Sequence, residues 1–264
     1  MEKEINKLRF YTPYICEDAA REIADLARAI NFQSGRKGGT SSCVFVDEYA
    51  LLYSNVFRKN KIEPAQFQSV MRELHKLYEG GAHVAPILGY VRGEDGVANP
   101  NFKPAKYRDL VIVQKAPGRT LNVMRTKKGV DARLMTDHHY DDVIKSFLEI
   151  VNSPLNPDFS HDNTLYEPTA GYTFIDFNTL LKNMPKDYLR DCTMKFLKSF
   201  ITDKKIEGEE TKADYFESSD YEQRVLTTKM LKAGVPWAHL DYSIREIAKK
   251  IPGVGSSTLD ELLR

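Results

Sequence analysis

The chain predicts an α+β fold of two lobes, an antiparallel β N-lobe over residues 1–117 and a mainly helical C-lobe over 118–264. Three observations carry this. Stretches rich in β-branched and aromatic residues crowd the first part of the chain around one long helical pattern. After "PGRTLN" the pattern turns helical. Among those helices sits one short hairpin, "TLYEP" and "YTFIDF" around a Thr-Ala-Gly turn. A β-rich half followed by an α-rich half places the meeting of the lobes at residues 114–120.

The elements follow in order. "EDAAREIADLARAI", residues 17–30, spaces its apolar residues as an amphipathic helix. The glycine-rich break "NFQSGRKGGTSS" leads into "CVFVDEYALLYSNVF", which "DE" splits into two strands about a tight turn. "IEPAQFQSVMRELHKLYEGG" opens with Glu-Pro and closes on glycines, a start and a stop for a helix. "VAPILGYV" and "DLVIVQKA" are further strands joined by a polar loop. "YDDVIKSFLEIVN", residues 140–152, and "KDYLRDCTMKFLKSFI" are helices on either side of the hairpin, and the remainder is helical.

Composition narrows the class. With 42% apolar and 28% charged residues the chain is an ordinary globular mix. Its 38 basic and 37 acidic residues exclude a generally basic nucleic-acid surface, though not a local patch. Cys16, Cys43 and Cys192 are odd in number and far apart, which fits neither a disulfide framework nor a zinc site and points to a reducing compartment. No run reaches membrane-spanning length, and "MEKEINKLRF" lacks the shape of a signal peptide, so a cytoplasmic protein is expected.

The chemistry gathers in "PDFSHDNTLYEPTAGYTFIDFN", residues 157–178. Asp176 ends the apolar "FID", where a strand would hold its backbone while the carboxylate projects beyond. Asn163 opens the other strand of the same hairpin, so the two side chains can converge on a cation. Mg²⁺ takes one or two carboxylates plus substrate phosphates. Asp158, five residues before Asn163, is placed to orient or deprotonate a hydroxyl. Taken singly, Asp158 and Asn163 are also ordinary turn formers. Asp176 is harder to dismiss, since a charge within "TFIDFNTLL" is costly to bury unless paired or metal-bound.

Asp158 and Asn163, followed by "FIDF", resemble the catalytic and metal-binding loops of the protein-kinase-like superfamily, with Asn178 where that family has glycine. Upstream, "VIVQKAPGRTL" resembles the interlobe hinge, its "PGRTL" that of the aminoglycoside and sugar-kinase branch. "SVMRELHKL" resembles the regulatory helix, with Glu73 as the ion-pair glutamate. "SGRKGGTSS" resembles a glycine-rich phosphate loop. The resemblance implies a two-lobed protein-kinase-like fold and an ATP- and Mg²⁺-dependent phosphotransferase acting on a protein or small-molecule hydroxyl. It implies Asp158 as base, with Asn163 and Asp176 holding Mg²⁺. Backbone amides of Gly35, Gly38 and Gly39, with Thr40 and Ser41, would lie over the phosphates. Gln114, Lys115 and Ala116 would meet the adenine through backbone groups.

The chain departs from that pattern in three places. The family's phosphate-binding lysine belongs near Leu52 to Ser54, where "YALLYSN" has none. Lys37 is the favoured substitute, a long flexible point charge whose backbone origin can move. Lys59 or Lys61 are alternatives, and so is a pseudokinase that binds a partner protein without catalysis. Ser160 stands where protein kinases usually carry lysine, which leaves His161 either to touch a phosphate or to bond a backbone carbonyl. Asp176 is followed at once by "NTLLKNMPKDYL", which leaves little room for an activation segment. In its trimmed C-lobe the chain is similar to small bacterial effector kinases, which would place it in a host cytosol. AMP transfer on the same fold is a further possibility.

Other features are weighed and set lower. His138 and His139 of "DHHYDD" are adjacent on a helix and do not converge as metal ligands. "FRKNK", residues 57–61, is a solvated basic loop. "SIREIAKKIPGVGSSTLDELLR" resembles a helix-turn-helix, but Asp260 and Glu261 would face the acidic DNA backbone, so DNA is not the expected partner.

Overall fold

In the computed structural model, residues 8–29, 36–37, 41–54, 62–93, 109–121, 137–200 and 225–248 are described. The chain is mixed α+β and divides into two compact units. One comprises residues 1–78, 85–116 and 178–180, the other 79–84, 117–177 and 181–264.

The first unit is built on a six-stranded antiparallel sheet. Its strands are β1 (Leu8–Tyr11), β2 (Arg36–Lys37), β3 (Ser41–Val46), β4 (Tyr49–Ser54), β5 (Ile87–Gly93) and β6 (Asp109–Gln114), in the order β1-β5-β6-β4-β3-β2. β3 and β4 form the hairpin that "DE" predicts, with Val46 opposite Tyr49 and Asp47 taking a left-handed φ of 47° in the turn. A helix covers each face of the sheet. Ala20 and Ile23 of α1 (Glu17–Ala29) pack with Leu51, Val91, Leu110 and Ile112. Successive strand residues point to opposite faces, so Tyr90 turns the other way. There it meets Phe67 of α2 (Pro64–Glu79) edge to face at 5.7 Å and accepts a hydrogen bond from Gln68 at 3.0 Å.

α2 follows its sequence closely. Pro64 occupies the first helical position, where a missing N–H costs nothing, and the Gln66 side chain reaches back to accept from the Glu63 amide at 3.2 Å. Phe67, Val70, Met71 and Leu74 form its buried stripe. Burial of each such side chain is worth about 1.5–3 kcal/mol.

The second unit packs helices around a three-stranded antiparallel sheet, β7 (Arg119–Thr120), β8 (Thr164–Glu167) and β9 (Gly171–Phe174). The helices are α3 (Asp137–Val151), α4 (Tyr188–Ser199), α5 (225–232) and α6 (Trp237–Ala248). Its core is aromatic: Phe147, Phe159, Phe174 and Phe196 contact one another with centroids 4.5–6.1 Å apart, and Tyr172 adds Phe200 at 5.3 Å. A Schellman motif ends α5. Val235 N–H reaches the Met230 carbonyl at 3.0 Å, Gly234 N–H reaches Leu231 at 3.0 Å, and Gly234 sits at φ 88°. Among the described residues no helix is long and apolar enough to cross a membrane.

Two expectations need correction. The strand expected to run through Asp176 stops at Phe174, opposite Thr164 of β8, and the chain turns out of the sheet two residues later. Asp176 itself lies outside the sheet at a left-handed φ of 69° and is exposed, so it carries no burial cost of the kind expected. The predicted second helix of the C-terminal pair, residues 249–264, lies outside the described residues, as does the basic stretch 57–61 with Lys59 and Lys61.

Candidate active site

The loop that carries Asp158 is shaped by alternation of buried and exposed residues. Pro157 and Phe159 are buried and Asp158 between them is exposed. Phe159 is locked by Phe147 at 5.1 Å and Phe174 at 5.3 Å, which anchors the loop from below while the carboxylate faces out. The chain then turns. Asn163 N–H donates to the Ser160 carbonyl at 3.1 Å, and the fully buried Thr164 hydroxyl donates to the same carbonyl at 2.9 Å.

That turn brings Asn163 back onto Asp158. Its side-chain Nδ2 donates both to the Asp158 carbonyl and to carboxylate Oδ2, each at 3.1 Å. With the amide nitrogen so engaged, Oδ1 is the atom Asn163 has to offer a cation. The other side of the hairpin is tied to the same residue, since Ile175 N–H donates to the Asn163 carbonyl at 3.0 Å. Asp176 follows directly, and the buried Phe177 beyond it fixes the chain again. Asp158, Asn163 and Asp176 are thereby gathered around one hairpin of the second unit. His161, in the same turn, has Nε2 3.6 Å from Asp162 Oδ2, so its nearest ionic contact is its own neighbour.

The donor set suits a hard cation in part. Two carboxylates and one amide oxygen are all oxygen ligands, as Mg²⁺ requires, but they are too few to enclose it without substrate oxygens. Among the described residues no group of three or more His, Cys, Asp or Glu side chains is arranged to hold a metal.

The connection into this unit explains "PGRTL". Gly118 has φ 90°, and a Cβ there would overlap the Tyr166 carbonyl, so only glycine lets Arg119 and Thr120 pair with Tyr166 and Leu165. At the hairpin tip the Glu167 carboxylate accepts from the Thr169 hydroxyl and from the Thr169 and Ala170 amides, both at 2.7 Å. The Thr169 hydroxyl first, then the Ala170 amide, hold its carboxyl below the usual range.

The remaining expected residues belong to the first unit. Glu73, on α2, pairs with Lys76 of its own helix at 2.7 Å. Strand β4, Tyr49 to Ser54, carries no basic residue. The backbone of Lys37, the last residue of β2, pairs with that of Ser42 near the start of β3, the strand that Ser41 opens. Gly35, Gly38, Gly39 and Thr40 lie outside the described residues. Of the residues expected to meet adenine, Gln114 spends its N–H on the Pro86 carbonyl at 3.0 Å and Lys115 spends its own on the Glu48 carbonyl at 2.8 Å. Nucleotide contact there would fall to Ala116 and to carbonyl oxygens. Sequence reasoning missed His83, which bonds to the hairpin from afar; a lone histidine in "GGAHVAP" carries no periodic signal.

No protein-family model matches the chain, and no curated protein matches it by sequence.

Proposed function

We propose that the chain is an ATP- and Mg²⁺-dependent phosphotransferase of protein-kinase-like fold, which moves the γ-phosphoryl group to a hydroxyl of a protein or small molecule. The observation that carries this is the two-point bond from Asn163 to Asp158, with Asp176 tied to the same residue through Ile175. An antiparallel sheet with α2, then "PGRTL", then the carboxylate-bearing hairpin is also the chain order the resemblance requires.

In this mechanism Asn163 Oδ1 and Asp176 would hold Mg²⁺, which neutralises charge on the phosphates when bound. Asp158 aligns the acceptor hydroxyl with the γ-phosphorus and takes its proton as the new O–P bond forms and ADP departs. The Asn163 amide holds the Asp158 carboxylate in one orientation, so little reorganisation is left for the reaction itself.

A pseudokinase scaffold is the second reading. It is favoured by the absence of a basic residue in β4 and by the engagement of Glu73 with Lys76. Calorimetry with Mg-ATP, followed by intact-mass measurement of wild type and Asp176→Ala, separates the two. The proposal expects binding, and a phosphate-sized gain in wild type or transfer to an added acceptor. Asp176→Ala should reduce turnover on the order of 10²–10³-fold, as for loss of one preorganised charge-stabilising group. An AMP-sized gain would redirect the assignment to adenylyl transfer. No Mg-ATP binding would leave the scaffold.

A further inference from the structure

His83 lies outside the loop and is bonded to its hairpin. It lies in the short stretch between α2 and β5, within the second unit. Three of its polar groups are bonded to two elements of that unit, α3 and β9. Its N–H donates to the buried Ser146 hydroxyl of α3 at 2.9 Å. Its carbonyl accepts from the Phe174 amide at 2.8 Å, and Val84 forms a parallel bridge to Phe174. Its ring Nδ1 lies 2.9 Å from the Tyr172 carbonyl. A carbonyl oxygen can only accept, so Nδ1 carries the proton.

We infer that His83 is a positioning residue for the candidate site. It rests on the proposed function and adds a determinant of it. β9 is an edge strand of the three-stranded sheet, paired on one side with β8. His83 and Val84 supply the other side at Tyr172 and Phe174. Two residues beyond Phe174 is Asp176, and the residue between them is bonded to Asn163. His83 therefore fixes the end of the strand from which the metal-binding carboxylate leaves, and ties it to α3 through Ser146. It touches no reacting atom and acts only through β9.

The test compares His83→Asn with His83→Leu. The Asn side-chain nitrogen occupies nearly the place of Nδ1 and keeps a donor for Tyr172; Leu keeps bulk without a donor. Two readouts are used. Amide hydrogen exchange at Phe174 and Ile175 should speed up at least about tenfold in His83→Leu and stay near wild type in His83→Asn. Calorimetric Mg-ATP affinity should fall about tenfold or more in His83→Leu, while affinity for ATP without Mg²⁺ stays within about twofold, and His83→Asn should recover most of the loss. A role in packing alone would lower both affinities together and would not be rescued by Asn. Unchanged exchange and affinity in His83→Leu, or equal loss in both variants, overturns the positioning role while leaving the functional proposal intact. Failure of the wild type to bind Mg-ATP overturns the functional proposal, and the positioning role with it.

Discussion

Under the proposed function, Asn163 does two things that compete for its small side chain. Its nitrogen restrains Asp158 through two bonds of 3.1 Å, and its oxygen is what remains for a cation. Asparagine serves both because it carries donor and acceptor on one rigid amide. Aspartate in its place keeps an oxygen for the metal but sets a second negative charge against Asp158, where a donor had been. Like charges so close cannot both ionise easily, so one carboxyl of the pair is pushed up. Asn163→Asp should therefore be less stable than wild type near neutral pH and recover part of that loss as the pH falls and the pair takes up a proton. Asn163→Ala should lose on the order of 1 kcal/mol, the usual worth of a partly exposed hydrogen bond, with no such recovery. Urea unfolding across pH distinguishes them. Parallel pH curves for the two variants would mean that Asp158 and residue 163 do not interact in solution.

The hairpin of β8 and β9 is the element that turns these residues into a site, and its tip is held by Glu167. Hydrogen bonds from Thr169 and Ala170 favour the charged carboxylate, so the native pKa lies below the ordinary value of 4.5. The sign follows: a depressed carboxyl stabilises the fold fully above its unfolded pKa, and the contribution is lost as pH falls through the lower native value. Glu167→Gln should leave acid unfolding less steep in that window, and Thr169→Val should move the Glu167 titration, followed by NMR, upward toward 4.5. A Glu167 that titrates at the ordinary value in wild type would show the tip to be open in solution. How much of such elements was legible depends on how local their cause is. α2 was readable because Phe67, Val70, Met71 and Leu74 repeat at helical spacing, and the β3–β4 hairpin because its turn is two residues long. β1 was not, since its four residues become a strand only by pairing with β5, as in Tyr11 opposite Tyr90. The end of β9 was misjudged for a similar reason: "FID" continues the apolar pattern, but past the Thr164–Phe174 pair only the Ile175 N–H still reaches the partner, at the Asn163 carbonyl, and the left-handed backbone of Asp176 turns the chain out of the sheet. Asp158, Asn163 and Asp176 could be named from spacing. The bond between the first two and the left-handed backbone of the third could not, because both arise from how the turn closes.

At the scale of the whole chain, the proposal ties chemistry to stability through mass action. A ligand that binds only the native state stabilises it by RT ln(1 + [L]/Kd), about 2.7 kcal/mol at a hundredfold excess over Kd. For a chain of 264 residues that is a rise in melting temperature of roughly 5–10 °C. The two units have separate cores, Leu51, Val91, Leu110 and Ile112 in one and Phe147, Phe159, Phe174 and Phe196 in the other, so a thermal scan need not be a single transition. The transition that must respond is that of the unit holding Asp158, Asn163 and Asp176. If those residues hold Mg²⁺ against nucleotide phosphates, the rise needs Mg²⁺ and ATP together, chelation with EDTA removes it, and Asp176→Ala lacks it. A rise with ATP that survives EDTA and Asp176→Ala would mean that nucleotide is gripped without the hairpin, which is what a scaffold that kept its nucleotide pocket and lost its phosphate lysine would do. The metal dependence of the shift, rather than its size, decides between the two, because size reports affinity alone while metal dependence reports which residues produce it.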